Sequence, residues 1–82
     1  MTMTHQDTIH GFPVIMASKM SAGGNGTRPH RVILVERDES HRHRWVTAIH
    51  CESDQEWSTG NYFASRVDAV NDFNRRCNRI GL

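Results

Sequence analysis

Trp57-Ser58-Thr59-Gly60-Asn61-Tyr62-Phe63-Ala64-Ser65-Arg66-Val67-Asp68-Ala69-Val70-Asn71-Asp72-Phe73 reads as a strand running into a capped amphipathic helix, and this junction sets the fold class. Over residues 56–63 the period of two puts Trp57, Thr59, Asn61 and Phe63 on one face and Ser58, Gly60 and Tyr62 on the other. Gly60 marks a bulge or a place of close packing. Ser65 stands as N-cap with Asp68 three residues later, a short version of the capping box that satisfies free N–H groups at the helix start. Val67, Val70, Phe73, Cys77 and Ile80 then recur at helical spacing as an apolar stripe, and Gly81 is a C′ stop. Asp68, Asp72, Arg75 and Arg79 form the opposite ridge, expected to be exposed. Acids precede bases along it, which suits the helix dipole and lets Asp72 pair with Arg75 or Arg76.

Upstream of this junction, Arg31-Val32-Ile33-Leu34-Val35-Glu36-Arg37 is a β-branched run that fits a strand buried on both faces. Asp38-Glu39-Ser40-His41-Arg42-His43 is a polar connection, after which Arg44 to His50 resumes strand character. Cys51 to Gln55 turns the chain into the third strand. Ile9 to Met20 looks extended, with Pro13 suited to an edge strand or to its first residues. Ser21 to Pro29 is a glycine-rich loop and residues 1–7 are a polar tail. The expected fold is α+β, a three- or four-stranded antiparallel sheet with one C-terminal helix packed on one face. Residues 1–28 form the tail, the fourth strand and the loop; residues 29–82 form the βββα domain. Open strand edges in such a sheet could pair with a second copy or with a partner's strand.

A chain of 82 residues makes one domain with a single modest core and little room for a deep pocket. With ten basic and nine acidic residues the net charge is +1, so no global field draws the protein to nucleic acid or an anionic membrane. Electrostatic function must come from local patches. Lys19 is the one lysine among the ten basic residues, and the arginines offer planar forks suited to interfaces and phosphates. Codon usage would give the same bias. Cys51 and Cys77 lack close spacing, which fits a reduced, cytoplasmic setting. No apolar run is long enough to span a bilayer, and the first residues do not resemble an export signal.

His41 and His43 would project to one side of an extended segment and could begin a metal site. The remaining ligands would have to come from His30, His50, Cys51 or Cys77, and no zinc-type spacing is present. His41 or His43 beside Asp38 or Glu39 lies on a turn, without the sheltered pocket that general base catalysis needs. Gly23-Gly24-Asn25-Gly26 lacks the Lys-Ser/Thr of a phosphate loop. No enzyme, metal or cofactor is therefore expected. Trp45, Trp57, Tyr62 and Phe63 with Arg31, Arg37, Arg42 and Arg44 suit either a stacking platform for single-stranded nucleic acid or a protein hot spot. Whichever of Trp45 and Tyr62 faces away from the helix is the better exposed anchor. The candidate partner-binding residues are Arg37, His41, Arg42, His43 and Arg44 around the first connection, with Arg75 and Arg79 on the helix as a second patch.

From Pro29 to Cys77, the order of three strands and a helix introduced by Ser65 resembles the last part of a double-stranded-RNA-binding domain. His41 sits in the first connection, where that family often carries a histidine that reaches the minor groove. Arg66-Val67-Asp68-Ala69 departs from the family's lysine-rich helix start, and the N-terminal helix is absent, so this resemblance implies topology rather than duplex binding. Trp57-x-x-Gly60-x-Tyr62-Phe63 followed by Asp68-Ala69-Val70-x-Asp72-Phe73 resembles small accessory proteins of phages and mobile elements, among them anti-CRISPR inhibitors. That resemblance implies a non-catalytic protein that occupies a surface of a host protein or protein–nucleic-acid complex in the host cytoplasm. The alternative is a small nucleic-acid-binding domain that uses the arginine-rich hairpin and the sheet face.

Overall fold

The computed structural model describes residues 8–9, 11–21, 29–51 and 56–79. They form β1 (Thr8–Ile9), β2 (Phe12–Ala17), β3 (His30–Glu36), β4 (Trp45–Cys51), β5 (Ser58–Phe63) and α1 (Arg66–Arg79). The strands pair in chain order as one curled antiparallel sheet, and α1 packs on one face of it. The α+β class stands as read, but the strand number is five rather than three or four. The additional pairing is the β1–β2 hairpin, in which Ile9 meets Phe12 across two residues and Gly11 takes φ 79°. That left-handed conformation is open to glycine without steric cost. The polar tail, most of the glycine-rich loop, residues 52–55 and the Gly81 stop lie outside the described residues.

The centre of the sheet explains its stability. Val32, Ile33, Leu34 and Val35 are all sealed from solvent, as the β-branched run requires of a strand covered on both sides. Val32 and Leu34 face α1 and pack with Ala69 and Phe73, joined by Trp45, Ile49, Phe63, Val70 and Cys77. Ile33 and Val35 face the other way, with Val46, Ala48 and Ile9, and β1 curls over them with Phe12, Val14 and Trp57 at the margin. Each such aliphatic side chain, fully buried, contributes about 1.5–3 kcal/mol relative to exposure.

Two bulges bend the outer strands. In β2 the register steps from Val14 opposite Val35 to Met16 opposite Leu34, so Ile15 is the extra residue. Met16 thereby joins the helix-side cluster while Phe12 and Val14 stay on the other face. In β5 Asn61 pairs with Thr47 and Ser58 with Ile49, leaving Thr59 and Gly60 opposite Ala48. Thr59 carries the strain of this bulge at φ 53°. The alternation expected through Trp57, Thr59, Asn61 and Phe63 is broken there. Asn61 and Phe63 lie on the helix side, whereas Trp57 packs on the opposite face with the Ile33 cluster.

Ser65 caps α1 as expected, its hydroxyl accepting from the Asp68 N–H at 3.4 Å and its carbonyl from the Ala69 N–H at 3.1 Å. Of the expected stripe, Val70, Phe73 and Cys77 meet the sheet, Val67 does not, and Ile80 lies outside the described residues. Ala69, Asp72 and Phe73 are buried, and Val67 is 67% exposed. Asp72 therefore does not belong to an exposed ridge; Thr47 and Asn61 on the sheet present polar groups to it, and this draws the helix round. Among the described residues no helix is long and apolar enough to cross a membrane.

Candidate binding surfaces

The residues expected to form the first patch are brought together by the connection from Arg37 to Arg44, but several of them serve the loop itself. The Asp38 carboxylate accepts from the Ser40 N–H at 3.0 Å and from the Ser40 hydroxyl, and it meets His41 Nδ1 at 3.1 Å. This is a side-chain-closed turn. The bonds from Ser40, aided by His41, lower the Asp38 pKa from its ordinary value. His41 also packs edge-on against Phe12, with 5.6 Å between ring centres. Arg37 donates from Nε and Nη2 to the His43 carbonyl at 3.2 and 2.6 Å, tying the loop across its neck. Arg44 pairs with Glu36. Arg42 and His43 are exposed, and their side chains have no partner among the described residues.

Beside this loop, on the face away from α1, lies an exposed aromatic centre. Tyr62 pairs with Val46 across the ladder and so shares the side opposite the helix, 46% exposed. The Arg37 guanidinium lies over its ring at 4.9 Å from the centroid, a cation–π contact. Trp57 Nε1–H donates to its hydroxyl at 3.2 Å. Gly60 sits beneath this pair, where a Cβ would stand 3.1 Å from the Tyr62 hydroxyl and 3.2 Å from Trp57 Nε1. The alternative anchor, Trp45, faces α1 and packs into the core, with Arg44 and Arg66 each 5.7 Å from its ring centre. An open groove of about 640 Å³ runs next to Arg37, between Gly11, Phe12 and Pro13 on one side and Asp38 and Ser40 on the other.

On the helix side the second patch, Arg75 and Arg79, borders a smaller cavity of about 180 Å³ between β5 and α1. Its organiser is Asp72, which sequence reasoning placed in solvent. Asp72 Oδ2 accepts from Thr47 Oγ1 at 2.5 Å and from Asn61 Nδ2 at 3.2 Å, and Oδ1 accepts from Arg75. Arg76 Nε stands 3.3 Å from Oδ2, and its Nη2 donates to the Thr59 carbonyl at 2.7 Å, fastening the helix to the bulge. Burial pushes the Asp72 carboxyl up, but the bonds from Thr47, Asn61 and Arg75 and the Arg75 charge outweigh it and hold the carboxyl at about 2. A threonine inside the apolar run Val46-Thr47-Ala48 was the one sequence signal that a polar partner had to come from elsewhere.

The histidines and cysteines are dispersed. His50 is buried, with Arg31 Nε donating to its Nδ1 at 3.2 Å, and His30 Nδ1 lies 3.1 Å from the Ser21 hydroxyl. Cys51 and Cys77 are free thiols, and burial pushes the Cys77 thiol up. Among the described residues no three His, Cys, Asp or Glu side chains converge as a metal site. Compared with known proteins, the chain matches no family model, no curated protein and no solved structure.

Proposed function

We propose that the protein is a non-enzymatic protein-binding module whose contact surface is the sheet face turned away from α1, centred on Tyr62 and continued by the Arg37–Arg44 connection. The observation that carries this reading is the fixed, exposed tyrosine: Arg37 lies over its ring and Trp57 holds its hydroxyl. A tyrosine ordered before binding loses little side-chain entropy on contact, and Tyr and Arg together are the side chains that dominate interface energetics. Arg42 and His43 have no partner among the described residues, and their guanidinium and ring N–H groups suit partner carboxylates. The resemblance to mobile-element accessory proteins makes a host defence complex the partner class, with the protein acting as its inhibitor.

Paired substitution tests this reading. Arg44→Glu is unsuitable, because it would set a second carboxylate against Glu36. Tyr62→Ala combined with Arg42→Glu removes the anchor and reverses the nearest free charge without touching the buried clusters. The expected result is loss of at least tenfold in partner affinity, as for removal of an interface hot spot of about 2 kcal/mol, with thermal unfolding remaining cooperative. Unchanged affinity would remove this face from the contact. Binding to phosphate polymers that weakens steeply with salt would instead favour nucleic acid.

A further inference from the structure

The cavity between β5 and the C-terminal half of α1 has a charge balance that the packing of the helix does not use up. Among the described residues it is lined by Arg75, Arg76 and Arg79, with Asp72 as the acid. Arginine stays protonated under all ordinary conditions, so the lining carries three positive charges against one negative. The negative end of the helix dipole takes back about half a charge and leaves this described lining positive.

Its donors are only partly spent. Asp72 is 3% exposed, and both of its oxygens already accept bonds within the cluster. Arg76, with its side chain 11% exposed, forms a fixed wall through Asp72 and Thr59. Arg75 gives Asp72 one nitrogen, and the rest of its fork has no partner among the described residues. Arg79, one turn beyond Arg75, has no ion pair among the described residues. Asn61 donates to Asp72 from Nδ2, which carries a second N–H. Ile49 supplies an apolar side.

We infer that this cavity is a binding site for a dianionic phosphate group, free or carried as a monoester, held by the forks of Arg79 and Arg75 with Asn61 beside them. The cavity of about 180 Å³ has room for one such group. A phosphate monoester carries about −1.5 to −2 near neutral pH and balances the site. A carboxylate would balance only part of it. The inference is independent of the protein-binding face, which lies on the other side of the sheet.

The test is a titration of isotope-labelled protein with inorganic phosphate at constant ionic strength, following the arginine Nε–H and Asn61 side-chain amide signals. Acetate and chloride serve as control anions. The expected result is a saturable shift at Arg75, Arg79 and Asn61 that phosphate produces and the controls do not. Phosphoserine should compete for it. Arg79→Gln should weaken phosphate at least tenfold, the scale of one charge-assisted hydrogen bond, while Arg42→Gln leaves it unchanged. Because Arg79 is exposed at the helix end, its replacement should leave the unfolding curve in place. Shifts that do not saturate, that chloride reproduces, or that survive in Arg79→Gln would overturn the inference. So would a preference for an oligonucleotide, whose diester phosphates are monoanions.

Discussion

Replacing Asp72 by Asn should destabilise the protein in a way that fades with acid. The carboxyl sits at about 2 in the folded chain against an ordinary 3.8, and at about 1.4 kcal/mol per pKa unit the ionised form contributes about 2 kcal/mol. The unfolded chain binds the proton more readily between these values, so this contribution is complete above 3.8 and is lost as pH falls through about 2. Asn has the same shape but no charge, and it leaves Arg76, mostly buried, facing a neutral amide. The cost near neutral pH is therefore about 2 kcal/mol or more, approaching the roughly 3–5 kcal/mol of a broken buried pair. For a domain of 82 residues, with stability on the order of 4–12 kcal/mol, that is a large fraction. Urea unfolding followed by circular dichroism at about pH 6 and about pH 2 gives the difference between wild type and Asp72→Asn under each condition. Asp38, also lowered, is common to both proteins and cancels. The gap should narrow by about 2 kcal/mol on acidification. A gap that is the same at both pH values, or below about 0.5 kcal/mol near neutrality, would refute the role assigned to Asp72.

The β5 bulge gives two further expectations. Thr59 is a β-branched residue held at φ 53° with its side chain exposed, so Thr59→Gly should relieve strain of roughly 1 kcal/mol. The added unfolded-state entropy offsets part of this gain, and chemical denaturation should show a variant as stable as wild type or more so; a clear loss would mean that the Thr59 side chain packs. Gly60→Ala should place its Cβ against the Tyr62 hydroxyl and Trp57 Nε1. These are the ends of movable side chains, so the expected effect is a small stability change with altered tryptophan emission and weaker partner binding. Unaltered emission and binding would show that the Trp57–Tyr62 contact is not what orders the surface.

The parts of the fold that could be read directly are those set by local pattern. Val32 to Val35 is buried on both sides because four successive apolar residues allow no solvent face, and Ser65 begins the helix because its hydroxyl can reach the Asp68 N–H. The inserted residues at Ile15 and Thr59–Gly60 were harder, because one extra residue reverses every later side chain and only the partner strand reveals it. Gly60 did signal the bulge, though the positive φ falls on Thr59. Asp72 was misplaced because its burial depends on Thr47, 25 positions away, and on Asn61. For the candidate surfaces, the sequence named Arg37, Arg44 and Arg75 without their internal duties. Arg37 braces Tyr62 and the loop, Arg44 answers Glu36, and Arg75 neutralises Asp72. Of the candidate residues, Arg42, His43 and Arg79 have side chains without a partner among the described residues.

The central claim, that Tyr62 and the adjoining loop contact a protein, is tested most directly by comparative capture. Tagged wild type and Tyr62→Ala/Arg42→Glu would be incubated with a cell lysate after nuclease treatment, and the stoichiometry of each captured protein measured by mass spectrometry. The expected result is a stoichiometric, nuclease-resistant protein on the wild type that the double variant fails to hold. Equal capture by both proteins, or recovery from the wild type only when nucleic acid is left intact, would contradict it.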